Sequence, residues 1–479
     1  MKRIALIGGG ISGLTAAYEL ELARKRGADI DWHLYEASNR LGGIIETTRH
    51  STSEGEFTLE GGPDGWVSEK PWARELAIEL GLESELIYSN DATRKTYILI
   101  DGKLQPIPDH MRMMVPEDLS ALNDSPLLSD TARQAYAAEL NGSERLKHLA
   151  PDFDESVANF VRRHFGQEVL TKLAGPLLSG VFGGDVETLS VRSVMPQFVA
   201  MEREHGSLIA ALQQRQRSST STKQPIFTSL RRGVGALAEA ITDHLPYDRI
   251  HLRTAATTVE HSQSDRWNAV VQNGSTAASE MHTVDDVVIA TSMDATRQIL
   301  NPVAPDVGAL MPAEASSAVL VVFCWPAELA ESLTIPQGFG FLVPPGTKSE
   351  RPQLLAATFV DRKFPDRAPK DARVIRAFFG SGSSERFAST SDNEVAAIAL
   401  EELRAVMGPL PNPAIELTTV RRWPRSLPQY EVGHLERIAE LERQVAQMSG
   451  LHLLGNSYRG VGIPDLIRDA RALARKLCS

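Results

Sequence analysis

Short apolar runs followed by glycine recur along the chain, and the first of them lies at its start. Residues 3–7 alternate little and are mostly apolar, as in a buried parallel strand, and three glycines follow. The pattern of LTAAYELELARKRG predicts a helix that ends at Gly27, and DIDWHLYEA predicts a second strand. Together they predict a strand–turn–helix–strand unit of about 30 residues.

Two later segments have the same buried-strand pattern, residues 284–292 and residues 451–457, and IPDLIRDARALARKL predicts a helix after the second. Other kinds of sequence separate these pieces. Residues 110–212 are rich in helix formers, residues 315–380 carry strand-like runs, and the polar residues 213–225 predict an exposed loop. The fold class predicted is therefore α/β with α+β insertions: a discontinuous α/β unit, a helical insertion and a β-rich insertion.

Three glycines in the first turn, Gly8, Gly10 and Gly13, form G-x-G-x-x-G. In such a unit the first glycine permits the tight turn, the second lets the backbone approach a pyrophosphate, and the third lets the helix pack on the strand. Glu36 ends the second strand, where a carboxylate binds both ribose hydroxyls and disfavours a 2′-phosphate. The glycines alone would also fit a structural turn, but together with Glu36 they indicate a dinucleotide site.

Composition limits the partners and the compartment. The chain has 479 residues, enough for about two to four domains, and its net charge of −11 argues against nucleic acid as a main partner. Its two cysteines, Cys324 and Cys478, form no disulfide framework and no metal-ligand cluster, so we expect a cytoplasmic location. No apolar stretch approaches ~18 residues, so we expect no transmembrane segment, while peripheral membrane contact stays open.

The residues after Glu36 narrow the choice of cofactor. EASNRLGG places Arg40, Gly42 and Gly43 behind the carboxylate, and GNSYRGVGIPDLIRDARALA leads into the last predicted helix. Both segments resemble those of FAD enzymes of the amine oxidase and phytoene desaturase class, although LLGNS stands where that class usually has Ala-Thr-Gly or Thr-Gly-Ala. The resemblance implies non-covalent FAD, with Arg40 and the glycine pair around the diphosphate and the dipole of the last helix near the flavin.

The same resemblance assigns cofactor-binding residues and domain boundaries. The residues expected to contact FAD are Gly8, Gly10, Ile11, Ser12, Gly13, Glu36, Arg40, Gly42, Gly43, Gly61, Gly62, Pro63, Ala256, Trp423, Gly455, Val461, Gly462 and Ile463. We expect a Rossmann-like FAD-binding domain from residues 1–90, 226–300 and 430–479, and an amine-oxidase-type β-rich substrate domain from residues 91–109, 213–225 and 301–429. Residues 110–212 would form a helical insertion that faces a membrane or gates the substrate.

Three further segments point to the substrate class. SGVFGGD at 179–185, QGFGFLVP at 337–344 and PQYEVGH at 428–434 resemble, in this order, signatures of the porphyrinogen oxidases of haem biosynthesis. Membership of that family implies removal of six electrons and six protons from a porphyrinogen, with O2 as oxidant and H2O2 as its product. The match is better to the soluble bacterial branch, which favours coproporphyrinogen III, with protoporphyrinogen IX second.

The porphyrinogen oxidase resemblance also implies a substrate site. The carbonyl of Gly180 would face the core of the macrocycle, and Leu342, Thr358 and Phe378 would lie against its pyrrole rings. Large apolar residues such as Leu342 and Phe378 are otherwise usually core residues, and Thr358 replaces a bulkier apolar residue of the family. Product hand-off to a ferrochelatase is an expectation from pathway logic.

Cations are expected to bind the propionates. Thr96 stands where some family members carry an arginine, so Arg94 and Lys95 are candidate replacements. Arg362 and Lys363 are further candidates. Each lone cation would otherwise be an ordinary solvated surface residue.

Two residues keep two interpretations each. His434, near Tyr430, could move a proton at neutral pH or be a hydrogen-bonded structural histidine. Asp64 could contact the flavin or the substrate, or cap a turn.

Two alternatives to a porphyrinogen oxidase stay open. The first is another flavoenzyme of the same class, such as a carotenoid desaturase or an amine oxidase. The second is a flavin-free binding protein like the Rab escort and GDP-dissociation inhibitor proteins, whose nucleotide turn is degraded. The complete set of Gly8, Gly10, Gly13, Glu36 and Arg40 argues against the second.

Overall fold

The computed structural model describes residues 1–142, 153–218, 224–262, 266–344 and 353–478. The strands in these ranges are β1 Lys2–Ile7, β2 Ile30–Tyr35, β3 Thr47–Thr52, β4 Gly55–Glu60, β5 Trp66–Val67, β6 Leu86–Tyr88, β7 Thr96–Ile100, β8 Lys103–Pro106, β9 Met111–Arg112, β10 Val115–Pro116, β11 Phe227–Leu230, β12 Ile250–His251, β13 Thr254–His261, β14 Trp267–Asn273, β15 Ser279–Val284, β16 Asp286–Ile289, β17 Ala315–Trp325, β18 Gly340–Leu342, β19 Leu354–Phe359, β20 Arg373–Phe379, β21 Thr419–Pro428 and β22 Leu451–Leu453.

The helices in the same ranges are α1 Ile11–Lys25, α2 Trp72–Glu79, α3 Asp130–Asn141, α4 Val157–Val169, α5 Gly175–Phe182, α6 Val191–Val194, α7 Pro196–His205, α8 Leu208–Ser218, α9 Gly235–Asp243, α10 Met293–Leu300, α11 Pro305–Leu310, α12 Ala327–Ala330, α13 Val360–Lys363, α14 Ser381–Phe387, α15 Asp392–Met407, α16 His434–Val445 and α17 Ile463–Cys478. A π-helical turn, Leu170–Ala174, joins α4 to α5. Short 3-10 turns span Glu83–Glu85, Asp91–Thr93, Leu119–Leu122, Tyr247–Arg249, Pro365–Arg367 and Ile415–Leu417.

A parallel five-stranded sheet in the order β12–β2–β1–β16–β22 holds both ends of the chain together. Its central strand β1 is apolar on both faces from Ile4 to Ile7, because both faces are covered. Ile4 and Leu6 pack with α1 and α17 on one side, and Ala5 and Ile7 pack with the antiparallel strands β13 to β15 on the other. The predicted strands at residues 3–7, 284–292 and 451–457 are confirmed as β1, β16 and β22, and the α/β fold class is confirmed.

A seven-stranded sheet in the order β21–β17–β20–β19–β18–β7–β8 is formed by segments far apart in the chain. Neighbouring strands are antiparallel except β18 and β7, which are parallel. Side chains alternate between its faces. Ala377 and Phe379 pack with α14 and α15, whereas Val374 and Phe378 point the other way, into a core with Phe57 of β4. This second face is therefore turned towards the chain's N-terminal unit.

Helices α3 to α8 enclose a third apolar core, and a charged cluster lies inside it. Both ring nitrogens of the buried His164 meet carboxylates, Nδ1 at 3.1 Å from Glu139 and Nε2 at 3.1 Å from Glu202. Burial alone would lower the pKa of His164, but the two carboxylates outweigh it and raise the pKa. An imidazolium therefore ties α3 and α7 to α4.

The prediction of an exposed loop over residues 213–225 is wrong in its first part. Helix α8 continues to Ser218, because its apolar residues Leu208, Ile209 and Leu212 pack into the helical core. The glutamines and arginines that follow are good helix formers, so polarity there marks the solvent side of a helix. Residues 219–223 lie outside the described residues. Of the helices described, none is both long and apolar enough to cross a bilayer.

Candidate functional site

The turn between β1 and α1 has the geometry that its glycines predict. Gly8 has φ +107°, in the left-handed region that favours glycine, and a Cβ on Gly13 would overlap the carbonyl oxygen of Gly8. Gly10 is the N-cap of α1, and a Cβ there would meet open space. Ile11 and Ser12 follow in the first helical turn, whose free N–H groups and positive dipole favour an anion. The turn leaves both room and donors for a phosphate.

Glu36 is fixed at the end of β2 by two backbone N–H groups. Its Oε2 accepts a hydrogen bond from the N–H of Gly9 at 2.7 Å, and its Oε1 accepts one from the N–H of Ser38 at 2.8 Å. A carboxylate has about four acceptor positions, so two stay available to hydroxyl groups of a ligand. The carbonyl of Glu36 accepts from the N–H of Thr254 at 2.8 Å, which brings the start of β13, with the half-buried Ala256, to the same place.

Arg40 shapes the loop that carries the second glycine pair. Its Nη2 donates to the carbonyl of Gly43 at 2.5 Å, and its Nη1 donates to that of Ile45 at 3.0 Å. Gly42 forms a parallel bridge to Gly10, and a Cβ on Gly43 would lie 3.2 Å from the Cα of Gly10. The second glycine pair therefore packs directly on the first turn. The contact expected between Arg40 and a diphosphate stays a prediction.

The segment after β4 forms the next part of this surface. The indole N–H of Trp423 donates to the carbonyl of Gly61 at 2.6 Å, and a Cβ on Gly62 would overlap the carbonyl oxygen of Ile44. Pro63 follows and is half-buried. Ile44 itself is 42 % exposed, so an apolar side chain lies open beside the glycine turns. Such a surface suits the flat, largely apolar ring system of a flavin.

The C-terminal segment reaches the same edge. Gly455, with φ +127°, follows β22, and Val461 and Gly462 precede Ile463, the first residue of α17. Because β1, β16 and β22 are parallel and adjacent in the sheet, their carboxyl ends meet at one edge, where open α/β sheets bind their ligands. The structure thus brings the predicted cofactor-binding residues together along this edge.

The four predicted macrocycle contacts also come together. Leu342 pairs with Ala356, and Ala356 pairs with Phe378, so Leu342 and Phe378 lie in one row on the same face of the seven-stranded sheet. A Cβ on Gly180 would lie 2.8 Å from a methyl carbon of Leu342, so α5 covers this row. Thr358 lies in the next row of the same face. The contact of these residues with a macrocycle stays a prediction.

A buried ion cluster beside this face was missed by sequence reasoning. Lys363 Nζ lies 3.0 and 3.1 Å from the carboxylate oxygens of Asp64, and Arg376 Nη1 lies 3.2 Å from Asp64 Oδ2. Arg376 also donates to the carbonyl of Gly62. Burial alone would raise the pKa of Asp64, but the two cations outweigh it and lower the pKa to about 2. The only sequence signal for Arg376 is a charged residue inside the apolar run VIRAFF.

The predicted propionate-binding cations fall into two groups. Arg94 and Lys95 are exposed and lead into β7, and the carbonyl of Lys95 accepts from the N–H of Phe339 at 2.7 Å. The carbonyl of Phe339 accepts from the N–H of Phe359 at 2.8 Å, just before the helix that carries Arg362. Arg94, Lys95 and Arg362 therefore share one margin of the sheet. Lys363, by contrast, is buried and paired inside the cluster with Asp64.

The structural interpretation of His434 is the one that the geometry supports. Its side chain is buried, and Nε2 lies 2.8 Å from the carbonyl of Tyr458. Burial lowers the pKa of His434 to about 4, so the ring is neutral at pH 7 and Nε2–H donates. Tyr430 stacks on the ring with centroids 3.9 Å apart. A ring held in this way is poorly placed to carry protons.

Comparison with known proteins decides the family. A model of the flavin-containing amine oxidoreductases matches residues 11–478. The chain belongs to this family. Its cofactor is FAD, as the sequence predicted. The glycine turns, which leave no space for a side chain at Gly13 or Gly62 and open space at Gly10, fit that cofactor. Cys478 lies at the end of α17 far from Gly462, in keeping with non-covalent binding.

Several relatives of this flavoprotein are porphyrinogen oxidases by name. Coproporphyrinogen III oxidase of Bacillus subtilis is 32% identical over 98% of this chain and 97% of its own length. The protein of the same name from Staphylococcus aureus is 27% identical over 99% of each chain. The chloroplastic protoporphyrinogen oxidase of Oryza sativa is 27% identical over 98% of this chain and 87% of its own. The predicted membership of the porphyrinogen oxidase family is confirmed.

Solved structures agree with the fold. A putative protoporphyrinogen oxidase from Exiguobacterium has a TM-score of 0.83 and 28% identity, covering 100% of this chain and 98% of its own. Cyclohexylamine oxidase from Brevibacterium oxydans has a TM-score of 0.67 and 17% identity, covering 100% and 98%. The second likeness shows the shared fold of the flavoproteins alone.

Proposed function

We propose that the chain oxidises a porphyrinogen to the porphyrin in haem biosynthesis. The observation that carries the proposal is the row of Leu342 and Phe378, on the same sheet face as Arg376, which donates to the carbonyl of Gly62. Gly180 of α5 lies directly against Leu342. A macrocycle of four pyrrole rings has apolar ring faces, which fit such a surface. The names of the relatives from Bacillus subtilis and Staphylococcus aureus support the same substrate class.

The chemistry divides between the cofactor and the chain. Bound FAD would supply a two-electron acceptor, so three cycles would remove six electrons and six protons from the porphyrinogen, and three O2 would accept both to leave as three H2O2. The chain binds and orients. Gly180 lies in the last turn of α5, where helix carbonyls lack partners within the helix, so its carbonyl oxygen is available to accept pyrrole N–H groups. Leu342 and Phe378 exclude water around the ring that reacts.

Coproporphyrinogen III is the substrate that we propose, with protoporphyrinogen IX second. Coproporphyrinogen III carries four propionates and protoporphyrinogen IX two, so more cations at the margin favour the former. Arg94, Lys95 and Arg362 lie at one margin of the sheet that carries Leu342 and Phe378. We also propose a cytoplasmic location, supported by two cysteines that are both free, and transfer of the product to a ferrochelatase, since haem requires metal insertion.

Oxygen stoichiometry tests the reaction. Freshly reduced coproporphyrinogen III is mixed with the FAD-loaded protein in an oxygen electrode, and coproporphyrin III is read by its fluorescence. Three O2 consumed and three H2O2 formed for each porphyrin support the proposal. Porphyrin formation no faster than in protein-free buffer, from a protein that retains FAD, would exclude it and favour another substrate of the amine oxidase class.

A further inference from the structure

The segment from Gln429 to His434, which we call the joint, lies between β21 and α16 and is largely buried. Gln429 is 7 % exposed, Tyr430 5 % and His434 1 %. Burial of three polar side chains in six residues requires partners for each of them. Those partners lie in two places, the end of α5 and the loop between β22 and α17.

The first of these places is the end of α5. Nε2 of Gln429 donates to the carbonyl of Phe182 at 3.1 Å and to the hydroxyl of Ser316 at 2.9 Å. The same hydroxyl donates to the carbonyl of Gly183. A Cβ on Gly184 would overlap Oε1 of Gln429, so the amide lies flat against the chain as it leaves α5. Gln429 therefore fixes the helix end that carries Gly180.

The backbone of the joint strengthens this attachment. The N–H of Ser190 donates to the carbonyl of Tyr430 at 2.8 Å, and the N–H of Val432 donates to the carbonyl of Thr188 at 3.0 Å. The N–H of Gly433 donates to Asp154 Oδ2 at 3.1 Å. The joint is thus paired as a short antiparallel bridge with the segment that follows α5.

The second place is the loop between β22 and α17. Oη of Tyr430 donates to the carbonyl of Asn456 at 2.6 Å and accepts from the N–H of Gly460 at 3.1 Å. His434 donates to the carbonyl of Tyr458, and the two rings of the joint stack at 12° to each other. This loop leads directly into Val461 and Gly462, so the phenol and the imidazole fix the entry to α17 at the cofactor edge.

We propose that the joint positions both halves of the active site: Gln429 sets the substrate side through α5, and Tyr430 with His434 sets the flavin side through the loop of residues 455–462. The substrate half rests on the proposed function, while the flavin half rests only on the FAD family. All three are positioning residues, since each acts through backbone that it holds. The hydrogen bonds of Gln429 and those of Tyr430 and His434 share no acceptor. We therefore expect substrate binding and FAD binding to be impaired separately.

Paired variants of the FAD-loaded protein test this division. Tyr430→Phe removes only the hydroxyl that holds the loop, and we expect about a tenfold weaker FAD affinity and a shifted visible flavin band, with the Kd for coproporphyrin III unchanged. Gln429→Leu removes the amide, and we expect about a tenfold higher KM for coproporphyrinogen III and higher Kd for coproporphyrin III, with FAD affinity and flavin band unchanged. Tyr247→Phe and Gln447→Leu, at exposed positions, are the matched controls.

Further variants test the proposal if the Gln429→Leu or the Tyr430→Phe protein does not fold. Ser316→Ala removes the hydroxyl next to Gln429 and is expected to raise the same KM. His434→Leu removes the donor to the loop and weakens FAD binding, whereas His434→Gln, which retains a donor, restores most of it. Equal loss of FAD affinity in the Gln429 and Tyr430 variants, or no loss in either, would overturn the proposal. A wild-type protein that oxidises no porphyrinogen would refute the proposed function alone, because FAD affinities still decide the flavin half.

Discussion

Thr358 and Arg376 face each other on neighbouring strands of the seven-stranded sheet, and each has a buried polar atom without a hydrogen-bond partner among the described residues. The atoms are Oγ1 of Thr358 and Nε of Arg376. The threonine replaces the bulkier apolar residue that the family resemblance predicts at this position. Together with Arg376, it makes this part of the sheet face polar, where the resemblance predicts an apolar side chain.

Replacing Thr358 by valine tests whether its hydroxyl has a partner. A buried hydroxyl without one costs about 1 kcal/mol or more, and valine has nearly the same shape. We expect Thr358→Val to raise the free energy of unfolding of the FAD-loaded protein by about 1 kcal/mol in urea titrations. Thr257→Val, at an exposed site, controls for the change of residue type. A loss of stability at Thr358 would instead show that the cofactor or water satisfies the hydroxyl.

The cluster of Asp64, Lys363 and Arg376 predicts an acid-sensitive stability. Because the pKa of Asp64 is lowered to about 2, its ion pairs stabilise the fold above pH ~4 and are lost as the pH falls through about 2. We expect Asp64→Asn to lower the free energy of unfolding by about 3 kcal/mol at pH 7, since it leaves two buried cations unpaired. We also expect the stability of this variant to depend less on pH in the acid range. Asp366→Asn, in an exposed pair with Arg231, should cost under about 1 kcal/mol. Equal losses in the two variants would contradict the role of burial.

His164 predicts the opposite pH dependence for the helical unit. Its raised pKa means that the imidazolium stabilises fully below pH ~6.5 and that this contribution is lost as the pH rises through the folded pKa. We expect His164→Gln to lower the free energy of unfolding by about 2 kcal/mol at pH 6, and the difference from wild type to shrink towards pH 9. A difference that stays constant with pH would show that the ring is neutral in the folded protein.

Substitution of Gly13 directly tests whether the turn between β1 and α1 binds the cofactor. A Cβ at this position would overlap the carbonyl oxygen of Gly8, so Gly13→Ala must displace the turn that receives the diphosphate. We expect the FAD affinity to fall by about a hundredfold or more, which corresponds to about 3 kcal/mol. Gly382→Ala, where a Cβ would meet nothing within 4 Å, is the matched control. FAD bound equally well by both variants would move the diphosphate away from this turn.

We expect Arg94 and Lys95 to bind propionates of the substrate. Both side chains are exposed at the margin shared with Arg362, where they would meet propionates in water. Two exposed ion pairs contribute about 1 kcal/mol together, so Arg94→Ala with Lys95→Ala should raise the KM for coproporphyrinogen III about fivefold, and less at high salt. Lys103→Ala, also exposed, serves as control. An unchanged KM would remove both residues from the site.

The sequence predicted what local spacing determines. Gly8, Gly13 and Glu36 lie within one strand–turn–helix–strand unit, where the order of residues fixes their geometry, and the signatures named the family. The cluster at Asp64 was not predictable, because Lys363 and Asp64 are 299 residues apart and meet only when two sheets pack. Residues 213–218 were predicted as loop because they are polar, but they continue helix α8, whose apolar anchors Leu208, Ile209 and Leu212 lie just before them. The sequence could not decide between the two interpretations of His434, because its hydrogen-bond partner is the backbone carbonyl of Tyr458, which no sequence pattern reveals.

Parallel turnover of two porphyrinogens tests most directly the proposal that this flavoprotein oxidises a porphyrinogen with four propionates. Coproporphyrinogen III and protoporphyrinogen IX, freshly reduced, are incubated in air in parallel with the FAD-loaded protein, and porphyrin fluorescence is followed over time. We expect porphyrin from both substrates, with a higher kcat/KM for coproporphyrinogen III. In the Arg94→Ala, Lys95→Ala variant, we expect this kcat/KM to fall towards that for protoporphyrinogen IX. Faster turnover of protoporphyrinogen IX would contradict the proposed substrate, and no enzyme-dependent fluorescence from either substrate would contradict porphyrinogen oxidation by this protein.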